Sequence, residues 1–275
     1  MSPSPQHASG AFATLWRPRV DEALADLVAA LPEGNLRAAC AHGLLGPGKR
    51  LRPMLVLATC AAAGGEPVQA MPAACAVEAV HAFSLVHDDL PCMDDDDERR
   101  GRPTVHVVYG EATALLAGDA LLALGLGALA ASRAPWAAAA TARLAEATWA
   151  GLVPGQVLDL EARDAATTPD LETIHRLKTG CLMEASCVLG GLVAGADDGV
   201  VDLLATYGRE LGLAFQLADD LLDDGDDPTS WVALHGRAAT EAAGEAAVAR
   251  ARDAAARLGS EVLDSLAFGA FHRRV

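Results

Sequence analysis

The chain has 275 residues, 52% of them hydrophobic, so it is long enough to bury a substantial core. Its 37 acidic residues outnumber its 21 basic residues and give a formal net charge of −16, which argues against nucleic acid as a partner. No linker, repeat or low-complexity tail is visible, so residues 1–275 are predicted to form a single domain.

The predicted elements are helices from one end of the chain to the other. Ala and Leu are abundant, aromatic residues make up only 4%, and β-branched alternation is scarce, which favours an all-α fold. Turn signals separate helices of roughly 15–25 residues. These signals fall at residues 32–35, 46–48, 64–67, 100–103, 133–135, 167–170, 196–199 and 225–228. A helix is expected to begin after Asp170.

Three features bear on the compartment. Residues 1–10 are polar and show no secretory signal, so a cytoplasmic protein is expected. The six cysteines form no CxxC pair and are expected to be buried, reduced thiols. Residues 112–131 approach the length of a membrane span, but Asp119 and many small residues favour a buried central helix, and no membrane span is predicted.

Two aspartate clusters lie far apart in the sequence, at residues 88–94 and 219–224, each after an apolar run. Clustered carboxylates repel one another and need a cation to neutralise them. Hard oxygen ligands with no Cys or His set suit Mg²⁺, which completes its shell with water and substrate phosphates. A diphosphate site between two acidic walls is therefore predicted, plausibly on facing helices of a bundle.

The spacing within each cluster predicts different local geometry. Asp219 and Asp223 stand at i and i+4 and share one face of a helix. Asp88 and Asp94 are six residues apart and would diverge on an ideal helix. Pro91 disfavours a continuous helix at this point, so a bulge or a helix end that returns Asp94 to Asp88 is expected.

Basic residues accompany the acidic clusters. Arg99 and Arg100 directly follow the acidic run at residues 94–98, and either surface ion pairs or bidentate phosphate binding would account for them. Residues 46–53 form a second basic junction, which is not a Walker A loop.

The ordered set GKRLRP, DDLPCMDDDDERRGRPT, AGDALL, GQVLDL, KTG and FQLADDLLDD resembles the trans-isoprenyl diphosphate synthases, the group of farnesyl and geranylgeranyl diphosphate synthases. The resemblance covers about residues 49–224. It implies an isoprenoid synthase-type bundle of about ten or more helices around a central cavity, and a homodimer. It also implies three Mg²⁺ ions and a head-to-tail condensation of isopentenyl diphosphate with an allylic diphosphate.

The resemblance also implies roles for particular residues. Mg²⁺ would be held by Asp88, Asp94 and Asp219, with support from Asp89 and Asp223, and Asp220 belongs to the second catalytic cluster. The allylic diphosphate would be held by Arg99 and Lys178. Isopentenyl diphosphate would be held by Lys49, Arg52, His81 and Arg100. The reacting carbons would be lined by Thr179, Phe215 and Gln216, with Gln156 and Asp159 near the cavity.

Product length is expected to depend on Phe83 and Ser84, about one helical turn below Asp88. A bulky ring at Phe83, together with the additional residues Pro91 and Cys92, favours a short product, farnesyl diphosphate (C15). The alternative is geranylgeranyl diphosphate (C20), because the stretches KTGCLMEASCVLGG and DDLPCMD also resemble C20 synthases.

One part of the family pattern is missing. The family's second cluster is followed by a loop with further lysines, whereas this chain has no lysine after Lys178. This absence keeps open a non-catalytic subunit that regulates another synthase. A terpene cyclase, which also uses an aspartate-rich Mg²⁺ site, is a further alternative, although such enzymes lack the GKRLRP loop. A plain helical scaffold with a solvated acidic face completes the alternatives.

Overall fold

A computed structural model describes residues 6–164, 170–222 and 230–272. In chain order its α-helices are α1 (Gln6–Ala29), α2 (Asn35–Leu44), α3 (Leu51–Ala62), α4 (Met71–Asp88), α5 (Val105–Tyr109), α6 (Glu111–Ala131), α7 (Ala137–Glu146), α8 (Val153–Asp164), α9 (Leu171–His175), α10 (Cys181–Ala194), α11 (Asp198–Leu222), α12 (Trp231–His235), α13 (Arg237–Arg257) and α14 (Glu261–Phe271). A short 3₁₀ segment covers Pro67–Ala70, and π-helical segments cover Ala147–Leu152 and Arg176–Gly180. The predicted all-α bundle is confirmed.

The described residues also contain one small antiparallel pair, β1 (Glu98–Arg99) with β2 (Arg102–Pro103). Several predicted turns are supported by backbone geometry, since Gly64, Gly101 and Gly195 have positive φ angles of 83°, 75° and 70°. The predicted helix start at Asp170 is confirmed, because its side chain accepts a hydrogen bond from the Thr173 N–H and caps α9.

Helix α4 lies at the centre of the bundle. It packs against α3, α6 and α10, and nearly all of its residues from Ala73 to Val86 are buried. A second core cluster joins α3 and α10 to α11, α13 and α14. The small residues along α4 allow its neighbours to approach closely, and the helix ends at Asp88.

Helix α6 is less buried than the sequence analysis expected, and that prediction is wrong. Only 33% of its most apolar window is buried inside the structure. One face packs on α4, while Leu115 and Leu116 on another face are 49% and 57% exposed. The reason is that α6 is apolar all round, so its composition carries no information about which face is covered.

Three helical stretches are long and apolar enough to cross a membrane by length and composition: Pro67–Asp88, Glu111–Ala131 and Leu171–Ala194. Burial inside the bundle is 67% for the first window and 61% for the third. The absence of a membrane span and the single-domain organisation both stay predictions.

Candidate functional site

The first aspartate cluster closes on itself as predicted. Helix α4 ends at Asp88, and the chain then turns through residues 89–93. The N–H of Asp94 donates to the carbonyl oxygen of Asp88 at 2.8 Å. The expected return of Asp94 to the end of α4, after Pro91 interrupts the helix, is confirmed.

Asp88 sits in an environment that disfavours its negative charge. Burial raises the pKa of its carboxyl to about 7, and the charges of Asp94 and Asp89 add to this, whereas Lys178 and Arg99 oppose it. A carboxylate with an elevated pKa beside a second carboxylate is a place where a cation stabilises the ionised form.

Asp89 and Arg99 form a partly buried ion pair. Asp89 is 4% exposed and accepts a hydrogen bond from Nε of Arg99, whose Nη2 reaches Asp96 at 3.1 Å. Burial raises the pKa of the Asp89 carboxyl, and the Arg99 hydrogen bond opposes this shift. Asp89 therefore fixes the guanidinium of Arg99, while its role as an ion ligand stays a prediction.

A cationic cavity of about 480 Å³ lies beside this cluster. It is lined by Pro47, Gly48, Lys49, Arg50, Leu51, Arg52, Glu78, His81, Arg100 and Phe215. The structure thus gathers Lys49, Arg52, His81 and Arg100 into one cavity, with Lys49 exposed at the rim.

Two features of this cavity suit an anionic ligand. The Nε atom of Arg52 is buried and has no hydrogen-bond partner among the described residues. Burial, followed by the charges of neighbouring arginines, holds the pKa of His81 well below its usual 6.5, so its imidazole is neutral. An orphaned guanidinium donor that lines a cavity is satisfied when a ligand oxygen arrives.

Arg100 is held over the loop at residues 46–48. Its Nη1 donates to the carbonyl of Pro47 at 3.0 Å, and a Cβ atom on Gly48 would lie 2.7 Å from the same nitrogen. A side chain at position 48 would therefore push the Arg100 guanidinium aside.

Lys178 lies on the π-helical segment Arg176–Gly180, which packs against α8 and α11. Its Nζ contacts Oδ2 of Asp159 at 2.7 Å. Thr179 follows on the same segment, half-buried. The π turn is typical of functional sites, where it re-aims side chains that a regular helix would direct elsewhere.

The second cluster ends α11 at the same end of the bundle. Phe215 lines the cationic cavity, with Gln216 beside it in the chain, and Asp219 stands one turn further along. Asp220 is 9% exposed and accepts a hydrogen bond at 2.8 Å from the N–H of Trp231. Asp223 lies outside the described residues.

A second cavity of about 220 Å³ lies below Asp88. It is lined by Phe83, Ser84, His87, Asp88, Met93, Leu152, Val153, Gln156, Val157 and Leu160. The predicted placement of Phe83 and Ser84 below Asp88 is confirmed. The mostly apolar wall of this cavity suits a hydrocarbon chain whose polar end lies at Asp88.

The donor set fits Mg²⁺, although residues 6–164, 170–222 and 230–272 contain no group of three His, Cys, Asp or Glu side chains close enough to hold an ion. The carboxylates that would hold it are Asp88 and Asp94, with Asp219 on α11. All offer hard oxygen ligands, and Mg²⁺ needs only one or two protein carboxylates when water and phosphate complete its shell.

Sequence reasoning missed Arg50, which the structure buries beneath the cationic cavity. It also missed the wall that Leu152, Val153 and Val157 form along the cavity below Asp88. Apolar residues carry no signal for a cavity wall, whereas an arginine between Lys49 and Arg52 was a visible signal.

Several known proteins are similar to this chain in sequence. A family model for polyprenyl synthetases matches residues 33–231. A geranylgeranyl pyrophosphate synthase of Arabidopsis thaliana is 46% identical over 74% of this chain and 61% of its own length. The large subunit of a heterodimeric geranylgeranyl pyrophosphate synthase from the same plant is 45% identical over 74% of this chain and 58% of its own length. The chain thus spans about three fifths of the length of these curated relatives.

Solved structures show the same fold over nearly the whole chain. An FPP/GFPP synthase from Zymomonas mobilis superposes with a TM-score of 0.87 at 34% identity, covering 94% of this chain and 98% of its own. A geranyltransferase from Legionella pneumophila superposes with a TM-score of 0.89 at 30% identity, covering 98% and 99%. The chain belongs to the polyprenyl synthetase family.

Proposed function

We propose that the protein is a magnesium-dependent prenyltransferase that condenses isopentenyl diphosphate head-to-tail with an allylic diphosphate and releases geranylgeranyl diphosphate. The observation that carries the proposal is the pair of cavities at one end of the bundle. One is cationic and bordered by Lys49, Arg52 and Arg100, and the other is apolar and headed by Asp88. Two diphosphates, one of them with a hydrocarbon tail, match this division.

The residues divide the chemistry between them. Arg99 and Lys178 hold the allylic diphosphate. Asp88, Asp94 and Asp219 would hold Mg²⁺, which would supply positive charge to stabilise the leaving diphosphate. The C1–O bond breaks, the double bond of isopentenyl diphosphate attacks C1, and the released diphosphate accepts the proton that is lost. The apolar wall below Asp88 keeps water from quenching the allylic cation.

The relatives support a C20 product over the C15 product that the sequence favoured. The two curated relatives described above are named as a geranylgeranyl pyrophosphate synthase and a subunit of one, whereas the two solved structures are an FPP/GFPP synthase and a geranyltransferase. Phe83 forms only one part of the cavity wall, which continues along α8 through Val153 and Val157. We therefore expect extension past C15, with the chain passing beside the Phe83 ring.

A second copy of this chain is the proposed partner. The proposed apolar face consists of Leu115 and Leu116 on α6 together with Trp149 and Val153, all of them exposed. Val153 also lines the cavity below Asp88. The carbonyl oxygen of Leu115 contacts Nε2 of His87 at 2.9 Å, and His87 lines the same cavity as Val153. This face therefore flanks the cavity below Asp88. Asp119 on exposed α6 and the charge of −16 favour a protein over an anionic lipid surface.

A product assay tests the proposal. The purified protein receives Mg²⁺, isopentenyl diphosphate and either dimethylallyl, geranyl or farnesyl diphosphate, and the products are sized after dephosphorylation. We expect a C20 product from each primer. Asp88→Asn is expected to lower the rate about a hundredfold or more, whereas Asp119→Asn, on the exposed side of α6, serves as the matched control and leaves it unchanged.

The outcomes separate the parts of the proposal. A product that stops at C15 with every primer contradicts the C20 assignment and leaves the reaction in place. No product from folded protein that binds Mg²⁺ contradicts the enzyme and favours a regulatory subunit. Consumption of an allylic diphosphate alone, with release of a hydrocarbon or alcohol, indicates a cyclase.

A further inference from the structure

Arg50 stands between two residues of the cationic cavity, Lys49 and Arg52. Its backbone is left-handed, with φ 52° and ψ 37°, and it caps the N-terminus of α3. This turn separates the exposed Lys49 from Arg52, so the geometry of Arg50 decides how both side chains are presented.

The guanidinium of Arg50 joins four segments of the fold. Its Nε donates to Asp21 of α1 at 2.8 Å, and its Nη1 donates to Glu78 of α4 at 3.2 Å. The carbonyl oxygen of Leu44, at the end of α2, accepts from Nη1 at 3.2 Å. The carbonyl oxygen of Gly46, in the loop, accepts from Nη2 at 3.0 Å.

These contacts leave Arg50 little capacity to bind a substrate. Four of the five N–H donors of a guanidinium are engaged by the protein in this arrangement. The side chains of Arg50 and Glu78 are each 7% exposed, so their charges neutralise one another inside the protein. Arg50 thus differs from Arg52, whose Nε has no partner among the described residues.

Two of the four segments, α4 and the loop at residues 46–48, line the cationic cavity. Glu78 lies one turn before His81 on α4, and the loop at residues 46–48 carries the Pro47 carbonyl that holds Arg100. A shift of Arg50 is therefore transmitted to the ligands of one diphosphate. Arg99 and Lys178 have separate partners, Asp89 and Asp159.

We infer that Arg50 is a positioning residue that preorganises the isopentenyl diphosphate half of the site without touching the substrate. This inference rests on the proposed function. Arg50→Lys keeps the positive charge but cannot reach Asp21, Glu78 and two carbonyls at once, because an ammonium lacks the planar fork of a guanidinium.

Calorimetric titration of the full chain with each diphosphate alone tests the inference. Arg50→Lys is expected to weaken binding of isopentenyl diphosphate about tenfold and to leave dimethylallyl diphosphate within about twofold. Arg37→Lys, on α2 and outside the cavity, is the matched control and should change neither. Asp21→Asn removes the negative charge of a single half-exposed partner and is expected to weaken isopentenyl diphosphate binding about threefold.

The two variants keep the inference testable if one fails to fold. If Arg50→Lys is unstable, the inference is tested with Asp21→Asn instead, because a change at a residue that is 47% exposed disturbs the core less. Equal weakening of both ligands, together with a lower melting temperature, indicates a purely structural arginine and overturns the inference, as does unchanged isopentenyl diphosphate binding in both variants. Wild-type protein that binds dimethylallyl but not isopentenyl diphosphate overturns the proposed function, and the inference with it.

Discussion

His81 is neutral in the folded protein although it lies in a cavity built to hold anions. Burial lowers its pKa first, and the positive charges of Arg52, Arg100, Arg99 and Arg50 lower it further. A neutral imidazole can still donate one hydrogen bond to a phosphate oxygen, and it spares the cavity a further positive charge among the arginines.

This shift makes the stability of the protein depend on pH. Below about pH 6.5 the unfolded chain binds a proton at His81 and the folded chain does not, so stability falls as the pH is lowered. The loss attributable to His81 is at most about 1.4 kcal/mol per pH unit. Urea denaturation of His81→Gln between pH 7 and pH 5 should show a correspondingly flatter dependence than the wild type.

His235→Gln provides the control for this measurement. His235 is exposed on α12, outside the cationic cavity, and its replacement should leave the pH dependence as in the wild type. If His81→Gln loses stability with falling pH as steeply as the wild type does, the buried neutral imidazole is not the cause.

Phe83 and Ser84 offer a reciprocal test of product length. Both line the cavity below Asp88, Phe83 as a ring edge-on to His87 and Ser84 as a small side chain. Phe83→Ser enlarges the cavity and is expected to lengthen the main product by about one five-carbon unit or more. Ser84→Phe fills the cavity and should shorten the main product. Sizing of the products measures both changes.

The opposite directions of these two changes provide the control. Poorer packing lowers the yield of both variants, since truncating a buried Phe costs about 3–5 kcal/mol and overpacking costs about 1–3 kcal/mol. It does not lengthen one product and shorten the other. Unchanged product lengths in both variants would mean that the chain follows a different wall of the cavity.

At the scale of elements, the site depends on how closely α8 approaches the π segment that carries Lys178. A Cβ atom at Gly155 would lie 2.4 Å from the backbone nitrogen of Lys178 and 2.7 Å from the carbonyl carbon of Leu177. Neither backbone atom can move without shifting its helix. This contact brings Asp159 within reach of the Lys178 ammonium.

Gly155→Ala should therefore disturb both stability and substrate binding. We expect a loss of about 1–3 kcal/mol in the free energy of unfolding, because the added methyl overpacks a rigid contact. The KM for the allylic diphosphate should also rise, since Lys178 is displaced. Thermal unfolding and steady-state kinetics measure the two effects.

The control for Gly155→Ala is Gly10→Ala on α1, where a Cβ atom would meet nothing within 4 Å. This change should be neutral or stabilising by up to about 1 kcal/mol, because alanine has the higher helix propensity. Equal stability and equal KM in Gly155→Ala and wild type would contradict the close approach.

Local sequence rules predicted the elements better than they predicted burial. Pro91 and the spacing of Asp88 and Asp94 foretold the turn that closes the first cluster, because a backbone restriction acts on its own neighbours. The burial of α6 was mispredicted and the π segments were not foreseen, because both depend on which neighbours a helix meets. Asp220, assigned to catalysis, is engaged with the Trp231 backbone, a contact between residues eleven positions apart.

At the scale of the whole molecule, the chain leaves its most apolar helix partly uncovered. The exposed apolar residues are Leu115 and Leu116 on α6, together with Trp149 and Val153. Monomeric proteins rarely leave large apolar patches exposed to water. Coverage by a second copy would remove this surface from water and close the outer wall of the cavity. The proposed dimer interface would therefore also form part of the product-binding cavity.

Leu116→Arg tests the dimer directly. Light scattering of the wild type should give twice the 28.2 kDa mass of the chain, and Leu116→Arg should give the monomer, because a charge buried in an apolar interface is not compensated. Val68→Arg changes a residue of similar exposure, 61% against 57%, on the Pro67–Ala70 segment and should stay dimeric. A monomeric wild type that binds lipid vesicles through α6 would contradict the dimer and assign this face to a membrane surface.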